Sequence, residues 1–143
     1  MQMILLDNQT DYDINLQFLD KIANYLKVNR DIELLIVDSK TIKSINYEYR
    51  GVDKVTDVLS FPLESVANIP LGSIIISIDK AKEISSKLKH KVDDEIALLF
   101  IHGLLHLLGY DHEIDNGQMR EKESETIKEF KLPSSLIIRS EGE

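Results

Sequence analysis

Apolar and polar positions change their period several times along this chain, and each change marks an element. Met3–Leu6 is a short apolar run stopped by Asp7 and Asn8, which predicts a first strand. From Ile14 to Val28, the residues Phe18, Leu19, Ile22, Ala23 and Leu26 recur at three- and four-residue steps, as on one face of a helix. Ile32–Val37 (IELLIV) predicts a second strand. Asp38 and Ser39 then offer caps for a helix that carries Ile42, Ile45, Asn46 and Tyr49 on one face and ends at Gly51. Thr56–Phe61 (TDVLSF) predicts a strand closed by Pro62, and Leu71–Ile78 (LGSIIISI) a stronger one, rich in β-branched residues. A helix is expected from Asp79 to about Leu88. Asp93 or Asp94 is expected to cap the next, which runs through EIALLFIHGLLHLL to Gly109 and is apolar nearly all round, the mark of a buried central helix. A polar helix over residues 115–130 and a weakly specified tail, LPSSLIIRSEGE, complete the chain. Strands and helices alternate first and helices cluster last, which indicates an α+β fold. With no repeat, no low-complexity tract and only scattered Pro and Gly, residues 1–143 read as one domain.

Composition changes this picture mainly by exclusion. The chain has 143 residues, with 43% hydrophobic and 29% charged, too apolar for general disorder. Zero cysteines exclude disulfides, thiolate nucleophiles, iron–sulfur clusters and cysteine-ligated zinc. No apolar run approaches the roughly 20 residues of a membrane span. The start, MQMILLDNQT, lacks a basic n-region and a signal-peptide core, so a cytoplasmic protein without a membrane partner is expected. Seventeen basic against 25 acidic side chains give a net charge of −8, which argues against binding nucleic acid with the whole surface.

Three of the four histidines lie within the segment HGLLHLLGYDH, as His102, His106 and His112. Four helical residues turn by about 400°, so His102 and His106 fall on the same face. Gly109 can adopt the left-handed conformation that ends a helix, which would bring His112 back from the following loop. Three imidazoles can then converge on a metal and leave a fourth position open, as catalytic zinc requires. Two core histidines satisfied by hydrogen bonds are the alternative, but two imidazoles side by side in so apolar a helix each need a partner, and a shared metal satisfies both. Asp111 or Glu113 in place of His112 would give two histidines and a carboxylate, a non-haem iron pattern, and three imidazoles also accept nickel, copper or iron. The spacing matches the metzincin pattern HExxHxxGxxH, except that the protease's general base is Gly103 here. Peptidase chemistry in its usual form therefore lacks its base.

At HGLLHLLGYDH, together with YRGVDKVTDVLSFP upstream, the chain resembles the YbeY family of bacterial rRNA maturation factors, over Asn46 to about Glu113. The resemblance implies a single α+β domain, a small mixed sheet packed with helices, and a zincin-like three-histidine site at the end of the central buried helix. It implies one zinc ion per chain on His102, His106 and His112, with Arg50 of YRGVD in the active cleft. It further implies endoribonuclease activity on single-stranded RNA, in maturation of the 3′ end of 16S rRNA and in ribosome quality control, with the rRNA precursor and the ribosome or its proteins as partners. The chain departs from the family at Leu71-Gly72-Ser73, where LGD is frequent, and in its polar MREKESETIKEF segment.

Other residues carry two readings each. Arg50 precedes Gly51 at a helix end, where a guanidinium can bind a phosphate bidentately or simply meet solvent; the resemblance favours the phosphate. Asp111 can orient a ligand histidine through its second nitrogen or cap the turn. Thr56, Asp57 and Ser60 can wall a substrate cleft or face solvent on an edge strand. Lys80 to Lys91 holds five lysines and His90, a stretch that can track an RNA backbone or form a solvated helix face. His90, in KLKHK, is expected at a solvated helix end, and the acidic run from Glu113 to Glu129 is expected to face solvent or a basic ribosomal protein. The leading expectation is a zinc-dependent endoribonuclease. A metallopeptidase-like hydrolase and a non-catalytic ribosome-assembly factor with a structural metal are the alternatives.

Overall fold

The structure, a computed structural model, describes residues 3–63, 69–111, 114 and 116–133. Their elements run β1 (Ile4–Asn8), α1 (Leu16–Tyr25), β2 (Ile32–Val37), α2 (Ser39–Arg50), β3 (Val58–Pro62), β4 (Gly72–Ser77), α3 (Ile78–Leu88), α4 (Val92–Leu107) and α5 (Gln118–Glu129). The four strands form one mixed sheet in the order β1-β2-β4-β3. β1, β2 and β4 are parallel, whereas the edge strand β3 runs antiparallel to β4, with Ser60 opposite Ile74 and Leu59 opposite Ile75. An α+β domain with a small mixed sheet is thus what the chain forms.

Strand alternation divides the core between the two faces of the sheet. Ile32, Leu34, Ile36, Ile74 and Ile76 join the larger cluster, with Leu19 and Ile22 of α1, Ala81 of α3, and Phe100 and Leu104 of α4. Val37, Leu59 and Ile75 point the other way and pack with Ile42 of α2. Helix α4 is buried almost all round, from Glu95 to Leu107, in keeping with its nearly continuous apolar sequence.

Most differences from the sequence expectations lie at element ends, where local hydrogen bonds decide. Helix α1 begins at Leu16, not Ile14, because the Asn15 side chain caps it by accepting from the Phe18 N–H. Asp38 caps α2 through the Thr41 N–H at 2.8 Å, and Gly51 ends it, as expected. Ser77 is both the last residue of β4 and the cap of α3, so Ile78 is helical. Asp93 and Asp94 do not cap α4: Lys91 holds that position, and the two carboxylates lie in the first turn, where the helix dipole favours them. β3 starts two residues later than expected and includes Pro62, tolerated because the strand is at an edge. The tail over 134–143 lies outside the described residues.

Candidate metal centre and cleft

The last two turns of α4 carry His102 and His106 on one face, with ring centroids 4.8 Å apart and planes inclined by 78°. Their Nε2 atoms face each other at 3.3 Å. Each ring is held from behind at Nδ1. His102 Nδ1 lies 2.9 Å from Glu123 Oε2, and His106 Nδ1 lies 3.1 Å from the Tyr110 carbonyl oxygen. A carboxylate and a carbonyl accept, so each Nδ1 donates, and a neutral imidazole with its proton there presents a lone pair at Nε2. Two lone pairs aimed at each other repel; a cation between them converts the clash into ligation. Tetrahedral zinc at 2.0–2.1 Å from each nitrogen spaces two imidazole ligands by about 3.3 Å, so the pair fits such an ion as it stands.

The helix end builds half of this arrangement. Gly109 takes φ +98°, a left-handed conformation costly for other residues. Its N–H donates to the His106 carbonyl, and the Tyr110 N–H donates to the Leu105 carbonyl, both at 3.0 Å. These paired bonds form a Schellman motif, and the reversal returns the Tyr110 carbonyl to the His106 ring. The other half comes from α5. Glu123 is 1% exposed and sits four residues after Met119 and four before Ile127, on the buried face of that helix. The expectation that the acidic run faces solvent therefore fails at Glu123. Its position midway between two apolar residues at helical spacing was the available signal.

Gly103, where a metzincin has its glutamate, is buried against the sheet. A Cβ there would lie 3.0 Å from both Ser60 Oγ and Ile74 Cγ2, so the absence of a side chain lets α4 sit close against β3 and β4. The Ser60 hydroxyl donates to the Gly103 carbonyl at 3.2 Å. The position of a peptidase's base thus carries no carboxylate, and any side chain there would press on Ser60 and Ile74.

A cleft of about 830 Å³ opens beside the histidines, within the roughly 300–1,000 Å³ range of ligand pockets. Arg50, Asp57 and Ser60 line it, with His102, His106 and Asp111. Arg50 reaches it from the last turn of α2, where Gly51 turns the chain. Thr56 does not line the cleft; its hydroxyl points to Asp57 Oδ1 at 3.5 Å. Asp111 lines the wall, while the Nδ1 atoms of His102 and His106 are held by Glu123 and the Tyr110 carbonyl. His112, expected as the third ligand, and Glu113, its carboxylate alternative, lie outside the described residues.

Two expectations about charge change. His90 is not a solvated helix end: its side chain is 10% exposed and its Nε2 lies 2.7 Å from the buried Glu95 carboxylate. Within the lysine stretch, Lys87 and Lys80 both pair with Glu83 and lower its carboxyl pKa, while Lys82 lies over the Tyr12 ring. Three of its five lysines are therefore engaged within the protein.

A mixed sheet that carries a buried helix with paired histidines, beside an arginine-bearing cleft, defines a class of small α+β proteins with a histidine centre. The chain belongs to the family whose model is described as Endoribonuclease YbeY, which matches residues 3–131. It is 58% identical over 139 residues to a protein of Nautilia profundicola named Endoribonuclease YbeY, covering 97% of this chain and 99% of the relative. Relatives of the same name from Helicobacter pylori strain Shi470 and Sulfurovum sp. are 54% and 56% identical, each over 97% of this chain and 99% and 98% of their own. The solution structure of a Thermotoga maritima protein superposes with a TM-score of 0.65 at 29% identity, covering 89% of this chain and 88% of that one.

Proposed function

We propose that this chain is a zinc-dependent endoribonuclease that cleaves single-stranded RNA, with one zinc ion on His102, His106 and His112. We place its work in the cytoplasm, in maturation of the 3′ end of 16S rRNA and in ribosome quality control, with the rRNA precursor and ribosomal proteins as partners. The observation that carries the reading is the facing pair of Nε2 atoms at 3.3 Å, each ring fixed from behind, in the cleft that Arg50 lines. The names of the relatives supply the RNA substrate and the endonucleolytic reaction.

When bound, zinc supplies a Lewis acid for a phosphoryl oxygen and a means of bringing the pKa of a water to about 7. Arg50 binds the phosphate bidentately and offsets the negative charge that grows on it during phosphoryl transfer. Glu123 and the Tyr110 carbonyl hold the two rings in the tautomer that ligation needs. Asp57 and Ser60 form the cleft wall. Gly103 disfavours a peptidase, since it supplies no base and a side chain there would crowd Ser60 and Ile74. With a net charge of −8, binding to free RNA is weak, and positive potential is local to the cation and Arg50.

The test is elemental analysis coupled to RNA cleavage by highly purified wild type, His106→Ala, His112→Ala and Arg50→Ala. Both histidine variants should lose zinc and cleavage together. Arg50→Ala should keep its zinc and cleave about 10²- to 10³-fold more slowly. Full zinc occupancy with unchanged cleavage in the histidine variants would overturn the assignment.

A further inference from the structure

An acidic protein that holds single-stranded RNA needs contacts that do not depend on charge. Two aromatic residues in the cleft supply the geometry for one. Tyr49 lines the cleft next to Arg50 and leaves 67% of its surface in water. It rests against Phe61, with ring centroids 5.8 Å apart and planes inclined by 59°. Phe61 in turn packs on the smaller core cluster of Val37, Ile42, Leu59 and Ile75. The exposed ring is therefore backed by a ring anchored to the sheet, so little order is lost when something lies on it. Tyr47, nearly as exposed on the same helix, does not line the cleft.

We propose that Tyr49, backed by Phe61, is a stacking platform for one nucleobase of the RNA, that of a nucleotide whose phosphate Arg50 engages. The inference rests on the endoribonuclease reading and adds how the site recognises its substrate. A phosphate-binding guanidinium and an exposed aromatic ring on consecutive residues match the two parts of one nucleotide, a charged backbone group and a flat apolar base. Stacking tolerates any base, because every base has a π-face. It also discriminates against duplex, where a base must first leave its own stack at an energetic cost. The platform thus makes preference for single strands a property of the cleft.

The experiment uses zinc-loaded protein and short single-stranded RNAs that carry 2-aminopurine at successive positions, with fluorescence and affinity measured for wild type, Tyr49→Ala, Tyr49→Phe and Tyr49→Trp. In the wild type one position should change its fluorescence on binding. Tyr49→Ala should abolish that change and weaken binding about 5- to 150-fold, while the Phe and Trp variants retain both. An abasic site at that position should weaken wild-type binding to the level of Tyr49→Ala and cost Tyr49→Ala nothing more. RNA cleavage with equal affinity and fluorescence in wild type and Tyr49→Ala overturns the platform and leaves the nuclease reading standing. Tyr49-dependent fluorescence without cleavage by the wild type overturns the nuclease reading and leaves the platform standing.

Discussion

A histidine–glutamate pair sits near each end of α4, which supplies Glu95 to the first and His102 to the second, and the two differ in what they can do. At its start, His90 Nε2 meets Glu95 at 2.7 Å; towards its end, His102 Nδ1 meets Glu123 at 2.9 Å. In both the carboxylate is buried and the imidazole nearly so, at 10% and 16% exposure. The first pair joins residues five apart, and Glu95 lies in the first turn of α4, where the helix dipole favours a carboxylate. It closes the turn between α3 and α4 and stands away from the cleft. The second joins residues 21 apart, and the ring's other nitrogen faces His106 beside Arg50, Asp57 and Ser60. A buried histidine–carboxylate bond alone therefore does not mark a reactive site. What the remaining nitrogen faces does.

Truncating each histidine in turn separates the two ends of α4. His102→Ala should lower zinc content and bring RNA cleavage below about one-hundredth of wild type. His90→Ala should leave cleavage per folded molecule unchanged, and a loss like that of His102→Ala would show that the two ends do not differ. Glu123→Gln, which keeps an acceptor but removes its charge, should weaken zinc affinity about 10- to 100-fold in competition with a chelator. In urea unfolding, His90→Ala should lose about 2 kcal/mol, because Glu95 stays buried without its charge-assisted bond. The smallest effect concerns Tyr12, whose hydroxyl donates to Asp93 in the first turn of α4. Burial first, then Asp93, push its pKa from 10.0 up to about 12. The folded state thus favours the neutral phenol, so this contribution is full below pH 10 and is lost as pH rises to about 12. Tyr12→Phe should flatten the fall of stability across that window in pH-dependent unfolding.

Much of the framework was legible because its causes are local. Asp38 and Gly51 bracket α2 as their side chains and backbone preferences require. The spacing of His102 and His106 fixes a shared helical face, and Gly109 at φ +98° makes the turn that its lack of a Cβ permits. The motif YRGVD points Arg50 to a cleft, and it lines one. The two misreadings have different causes: both residues stand among charged neighbours, but Glu123 is buried by a contact 21 positions away, whereas His90 meets Glu95 only five residues on, across the α3–α4 turn.

Periodicity and backbone preference within a few residues account for the existence of the elements, the buried character of α4 and two imidazoles on one helix face. Contacts between distant elements instead set which carboxylate orients His102, what packs against Gly103, and that Tyr49 and Phe61 meet beside Arg50. Those contacts join α4 to α5, α4 to the sheet, and α2 to β3. They exist because burying the apolar face of each element forces it against particular neighbours, and no local pattern along the chain encodes which neighbour that will be.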